Sequence, residues 1–153
     1  MSVPPFVIDE EERMAFFNTF KRFLVEKLGY SGKQASRIDV SSLRQDYFML
    51  MFKKGLDDFY LKIGNHVHTA PDHKSIVVAR IGFCKSNKGS GTELIKELCK
   101  VGQEFNYEWF AVECPNPGCQ EFMKKLGFKD ISPMLINDLM SSIHKYESHK
   151  KVN

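Results

Sequence analysis

Phe16, Phe17, Phe20, Phe23, Leu24 and Leu28 recur at helical spacing and predict a first helix with an apolar stripe. Asp9-Glu10-Glu11-Glu12 opens it. Asp9 suits the N-cap and Glu12 the N3 position of an Asp variant of the capping box, and three carboxylates sit at the positive end of the helix dipole. Gly29 is the stop. The stripe reads as core packing in preference to a pocket lining. Residues 31–46 are polar, with a short helix placed near Ser41. Tyr47 to Phe52 is an unbroken apolar run of strand length, with a helix stopped at Gly55 as the alternative. Lys54-Gly55-Leu56-Asp57 reads as a turn, Phe59 to Val67 as the next strand, and Thr69-Ala70-Pro71-Asp72 as a second turn. Ser75 to Phe83, rich in Val and Ile, is the clearest strand. Strands arriving in this order form a meander, which implies antiparallel pairing.

The pattern then changes. Residues 85–91, KSNKGSG, form a Gly-rich basic loop. Thr92 to Phe105 places Leu94, Ile95, Leu98, Val101 and Phe105 on one helical face. Trp109 to Glu113 is a short strand. Asn116 suits an N-cap and Pro117 the first helical position of a helix that runs to Leu126 and stops at Gly127. Phe128 to Ile131 begins another strand. Strand, loop, helix, strand, helix at this spacing predicts one parallel pair inside an otherwise antiparallel sheet. Further on, Ile136, Leu139, Met140 and Ile143 have helical spacing, with Ser132-Pro133 as N-cap and first helical residue. The tail SHKKVN reads as frayed.

Composition narrows the class. The 153 residues make a single domain, and 42% hydrophobic against 27% charged residues is a globular balance. A chain disordered throughout is excluded. No apolar run approaches the roughly 20 residues of a spanning helix, so no membrane partner is expected. The acidic N-terminus has no apolar h-region, so no secretory signal is expected. The net charge of +3 tolerates an anionic ligand, and no nucleic-acid motif is present. Four cysteines are too sparse for a disulfide scaffold and read as reduced thiols in a cytoplasm. His66, His68 and His73 lack closed four-ligand spacing, so no metal site is expected.

The chemistry lies in the Gly-rich loop. A helix N-terminus after such a loop attracts anions, because its first N–H groups have no internal partner. Gly89 and Gly91 allow close backbone approach, and Lys85 and Lys88 add positive charge. The competing reading is a plain loop in which Ser90 caps the helix and Glu93 completes a capping box. A Walker loop fails, because no Lys follows Gly89 or Gly91. A dinucleotide fingerprint fails, because Leu94 stands at the third glycine.

Ser86-Asn87-Lys88-Gly89-Ser90-Gly91 resembles the Arg/Gln-x-x-Gly-x-Gly/Ala loop of GNAT-superfamily N-acetyltransferases. Asn116 to Phe128, NPGCQEFMKKLGF, resembles their Asn-x-x-Ala-x-x-Phe-Tyr-x-Lys-x-Gly-Phe segment. The two blocks stand in family order, and the resemblance spans about residues 75–130. It departs at Ser86, where the family usually has Arg or Gln, and at Met123, where a frequent Tyr protonates the leaving thiolate. A thioether cannot donate that proton. Cys119 falls where the family often has Ala and reads as a small core residue.

The resemblance implies an α+β fold: a mixed, mostly antiparallel sheet with helices on both faces and a central parallel pair, residues 75–83 and 109–113, splayed into a V. It implies acetyl-coenzyme A in that V, with the pyrophosphate on the backbone of Asn87, Lys88, Gly89, Ser90, Gly91 and Thr92, beside Ser86. The pantetheine arm would pair with Ile81, Gly82 and Phe83, with Asn116 and Phe122 on its other side. A backbone N–H near Ile81 would be the oxyanion donor. It also asks for a last strand, expected near Ser142 to Glu147, against the local helical pattern. Glu113 is the candidate base, its competing reading being an ion-paired strand-end carboxylate; His66 and His68 are weaker candidates.

The expected organisation is one acyltransferase-like domain over 1–153: a substrate-side half at 1–74, a coenzyme A-binding core at 75–131, and a C-terminal segment and tail at 132–153. The expected activity is transfer of an acetyl group to a primary amine by direct attack in a ternary complex. Two alternatives stand beside it. One is a regulatory coenzyme A-binding domain that has lost the Tyr acid. The other is an unrelated phosphate-binding or adaptor domain.

Overall fold

The structure is a computed structural model, and it describes residues 6–65, 73–82, 89–113, 117–129 and 133–152. The elements in chain order are α1 (Glu10–Glu26), α2 (Gly32–Ala35), β1 (Asp39–Arg44), β2 (Tyr47–Lys54), β3 (Asp57–Asn65), β4 (Lys74–Gly82), α3 (Ser90–Glu104), β5 (Trp109–Val112), α4 (Pro117–Lys125), β6 (Met134–Leu135) and α5 (Ile136–Val152). Among the described residues one six-stranded sheet runs in the order β1-β2-β3-β4-β5-β6. β4 and β5 pair in parallel and every other neighbour is antiparallel. The fold is therefore α+β with a single parallel pair, as the alternation of meander and crossover predicted.

The apolar alternation explains the register. Phe48, Leu50 and Phe52 of β2 stand opposite Ile63, Leu61 and Phe59 of β3, and all six are buried. A one-residue slip would turn this whole row away from the core, so the pairing is strongly specified. α1 covers the row: Phe16 meets Phe48 edge-on at 6.0 Å between ring centres, and Phe20 meets Phe59 at 5.7 Å. α3 packs beside α1, and α5 lies along α3. On the opposite face Tyr47, Met49, Met51, Tyr60 and Lys62 are half-buried. Ser75 to Val78 of β4 are buried at four consecutive positions, the mark of a strand covered on both sides.

Three local expectations are corrected. The segment near Ser41 is strand β1, and the short helix lies earlier, at Gly32–Ala35, where Ser31 and Gln34 form a reciprocal capping box. The C-terminal segment is helix α5 throughout Ile136–Val152, so the strand expected near Ser142 to Glu147 does not form. Ile136, Leu139 and Ile143 are each at most 1% exposed and Met140 is half-buried, so the helical stripe faces the core as a helix, and a strand would have turned part of it outward. Of the strand expected from Phe128 to Ile131, Phe128 and Lys129 are coil and the rest lies outside the described residues; the described pairing with β5 is made by Met134 and Leu135. The expected turn at 69–72 and the end of the strand to Val67 lie outside the described residues.

The N-terminus of α1 holds the most consequential polar cluster. Asp9 Oδ1 accepts from the Glu12 N–H at 2.9 Å, as the capping motif predicted. The Glu12 side chain does not close the box. Its carboxylate is buried, receives Lys74 Nζ at 3.0 Å and accepts from the Tyr107 hydroxyl at 2.6 Å. Lys74 also donates to the Phe105 carbonyl at 3.1 Å. Burial, with the Glu12 carboxylate beside it, pushes the Tyr107 phenol far above its ordinary pKa. Removing one partner of a buried pair strands the other charge. Lys74→Met should lower the unfolding free energy by about 3–5 kcal/mol. Adding Glu12→Gln to that variant should recover part of the loss. Urea melts read both, and an unchanged midpoint in Lys74→Met would remove the cluster's structural role.

Candidate functional site

The candidate site lies where the described register of β4 with β5 ends. The parallel register runs Ser75–Trp109, Ile76–Phe110, Val77–Ala111 and Val78–Val112, and the Glu113 N–H adds a bond to the Val78 carbonyl at 2.8 Å. Immediately beyond, β4 carries an extra residue: Tyr60 faces Arg80 while Leu61 faces Val78, so Ala79 bulges. A bulge bends its strand and raises local twist. β4 continues to Gly82 along β3, with Ile81 opposite Phe59 and Gly82 opposite Asp58. Ile81 and Gly82, two expected cofactor-binding positions, thus lie on the part of β4 past its register with β5.

α3 starts at the same end of the chain path. Its N-cap is Gly89 at φ +87°, with no side-chain cap hydrogen bond. The alternative in which Ser90 caps the helix is corrected, because Ser90 is its first residue. Only glycine takes this left-handed entry without strain. Gly91 needs its missing side chain for a different reason: a Cβ there would stand 3.0 Å from Phe122 Cζ of α4. Gly91 and Phe122 are in contact, and Gly91 makes room for the Phe122 ring. Ser90 is half-buried, and Thr92 is 7% exposed.

Glu113 is half-exposed and pairs with Lys62 Nζ at 3.4 Å, so the ion-paired reading holds for it. Lys62 also stands 5.6 Å from the Tyr60 ring centre, and the Arg80 guanidinium covers the same ring at 5.3 Å. The Tyr60 hydroxyl donates to Met49 Sδ at 2.8 Å. Tyr47 joins this surface, its phenol pushed up to about 12 by burial first and then by Tyr60, with Arg44 opposing. Met123, at the position of the family's acid, is 2% exposed and belongs to the core. A Tyr there would be a packing change, not a restored acid.

Among the expected site residues, Phe83, Ser86, Asn87, Lys88 and Asn116 lie outside the described residues, as do His66 and His68. His73 is described and bonds Glu108 at 2.9 Å. Among the described residues no group of His, Cys, Asp and Glu is placed to hold a metal ion, and no helix is long and apolar enough to cross a membrane. Cys119 is disulfide-bonded, which corrects the reading of four reduced thiols, whereas Cys99 is free and buried.

Sequence reasoning missed several neighbours of the site. Lys62 enters only through the β3–β4–β5 register. A polar cleft of about 300 Å³ beside the first turn of α3 brings in Lys27 from α1 and Tyr146 and Glu147 from α5. The signal for the α5 pair was present, since 146 and 147 continue the 136, 139, 143 spacing. Nothing in the sequence pointed to Lys27. No known family model matches this chain, and no curated protein matches it.

Two outcomes follow from the packing. Gly91→Ala should cost about 1–3 kcal/mol in thermal or urea melts, through overpacking against Phe122. Phe122→Leu in the same chain should return part of it; a neutral Gly91→Ala would remove the close contact. Burial pushes the Cys99 thiol up to about 12, so alkylation at pH 8 should leave it unmodified until the protein is denatured. Rapid labelling of Cys99 in the native protein would contradict its place in the core.

Proposed function

We propose that the chain is an acyl-coenzyme A-dependent N-acyltransferase, with acetyl-coenzyme A as donor and a primary amine as acceptor. The observation that carries this reading is the bulge at Ala79, directly after the described register of β4 with β5. Among the described residues the β4–β5 register runs to Val78 and Val112, Ala79 bulges there, and α3 begins with no side-chain cap. A V-shaped gap at that point would suit an extended thioester arm, which would pair with the backbone of Ile81 and Gly82 like an added strand. The pyrophosphate would take the N–H groups of the first turn of α3, where the dipole favours negative charge. Phe122 would flank the arm. Phe83, Ser86, Asn87, Lys88 and Asn116 complete the proposed set by the family resemblance.

In the proposed reaction the neutral amine attacks the thioester carbonyl carbon. The oxyanion forms against the backbone N–H near Ile81. Glu113 takes the amine proton, directly or through water, and collapse of the intermediate breaks the C–S bond. The thiolate leaves without a protonating Tyr, because a thiol of pKa about 8.5 is a competent leaving group. Holding both substrates in one complex supplies much of the acceleration.

A second reading is a regulatory domain that binds coenzyme A without turnover. It is favoured by the burial of Met123 and by the Lys62–Glu113 ion pair, which together leave no acid and an engaged base. Calorimetric titration with acetyl-coenzyme A followed by thiol release with a panel of amines separates the readings. Binding with turnover is expected, and Glu113→Gln should lower kcat by roughly 10²-fold and remove the acid limb of the pH profile. Tight binding with no acetylation of any amine would support the regulatory domain, and no binding would overturn both.

A further inference from the structure

On the sheet face opposite α1, two cations stand against one ring. Lys62 Nζ lies 5.6 Å from the centre of Tyr60, and the Arg80 guanidinium lies 5.3 Å from it. Lys62 is half-buried and paired with Glu113. Arg80 is exposed, and its place on this face depends on the bulge at Ala79. Val77 of β4 stands opposite Lys62 of β3. Strict alternation from Val77 would set Ala79 on the same face and turn Arg80 toward the core. The extra residue reverses this. Arg80 stands opposite Tyr60, and Ile81 takes the core-side position opposite the buried Phe59. What the interrupted ladder yields is a guanidinium in the same side-chain cluster as the candidate base. That guanidinium is lightly engaged. Its Nε stands 3.5 Å from Asp58 Oδ1, an ion pair without a hydrogen bond. Among the described residues the only other contact of the group is with the Tyr60 ring. Its planar fork therefore remains open to a bidentate acceptor.

We propose that Arg80 holds a carboxylate of the acceptor, so that the amine acetylated here belongs to an amino acid or another amine that carries a carboxylate. The proposal rests on the acyltransferase reading above and names its substrate class. The carboxylate would take the fork of Arg80 and the amine would point toward Glu113, with the Tyr60 ring as a flat surface under the carbon atoms between them. Arginine suits this contact, because its charge is permanent and its fork matches two carboxylate oxygens, and stacking on the ring holds the fork in place. Lys62 suits it less, because its ammonium is already 3.4 Å from the Glu113 carboxylate. Lys62 still adds a positive charge on this side. A polyamine would bring its remote ammonium against both cations, whereas a carboxylate there is attracted by both. A plain alkylamine would reach Glu113 and leave the guanidinium without its anion.

The test follows thiol release from acetyl-coenzyme A by the full chain with a set of amino acids, each beside the amine that lacks only its carboxyl group, and with spermidine as a polycationic acceptor. The amino acids should show kcat/KM about ten-fold above their decarboxylated partners, the scale of one charge-assisted contact, with the difference carried by KM. Arg80→Gln should collapse that ratio toward one. Arg80→Lys should restore part of it, since the charge returns without the fork. Arg80 is exposed, so the substitutions test the contact without emptying the core. A second readout needs no turnover: the Arg80 Nε–H resonance, recorded with coenzyme A present, should move on addition of amino acids and stay in place with the decarboxylated amines. Turnover in which the decarboxylated amines or spermidine match the amino acids, unmoved by Arg80→Gln, would overturn the acceptor class and leave the acyltransferase reading standing. Amino-acid shifts at Arg80 in a protein that transfers no acetyl group would uphold the carboxylate contact and count against the enzyme. Neither turnover nor a shift would overturn both.

Discussion

The buried contact between Glu12, Lys74 and Tyr107 is the constraint on which the rest of the molecule hangs. It joins the first turn of α1, the first residue of β4 and the turn that leads into β5. A carboxylate and an ammonium are costly to bury, and here each meets more than one partner: Glu12 accepts from two side chains, and Lys74 adds the Phe105 carbonyl. The ammonium also lies 5.2 Å from the Tyr107 ring centre and 5.5 Å from that of Phe6. An apolar substitute could fill this space. It could not specify so narrowly which residue of β4 stands beside which turn.

That specification has a consequence at the far end of the strand pair. The Glu108 N–H donates to the Lys74 carbonyl at 2.9 Å, so β4 and β5 are locked together at their starts. Four register pairs follow, and then β4 bulges at Ala79 and continues along β3 to Gly82. The same end receives the first turn of α3, since the crossover from β4 must return above the sheet. The end of the described β4–β5 register and a helix N-terminus are thereby set toward the same end of the sheet by topology, before any ligand is considered.

The sequence made the architecture legible wherever one periodicity dominated a segment. The Phe16–Phe20–Phe23 stripe, the apolar run of β2 and the Val-rich β4 all form the predicted elements, while most of the Gly-rich segment lies outside the described residues and its Ser90 and Gly91 open α3. Three features were hidden for physical reasons. β1 is an edge strand whose Val40 is half-exposed, so it carries little apolar pattern. The Glu12 contact spans 62 residues to Lys74 and 95 to Tyr107, and local propensity is blind to such pairs. Glu113 was visible as a strand-end carboxylate, but its pairing with Lys62 depends on the register of two neighbouring strands. Met123 was read by its place in a motif, and only packing shows that the position faces the core.

The C-terminal helix shows how local pattern and fold expectation are settled by burial. A last strand would have extended the sheet beyond β6, whose pairing with β5 covers only Trp109–Leu135 and Phe110–Met134. The helix instead buries Ile136, Leu139 and Ile143 and runs back along α3 to the end where α3 begins. Its reward is apolar burial that a short edge strand could not match, since alternate residues of a strand there would face solvent. The cost is that the β5 edge stays narrowly covered. The gain is geometric: the Lys96–Glu147 bridge pins the second half of α5 against α3, which sets Tyr146 beside Gly89 and Ser90. The polar wall at the start of α3 is thus a product of the choice between helix and strand, made well downstream in sequence by the aliphatic side chains of Ile136, Leu139 and Ile143.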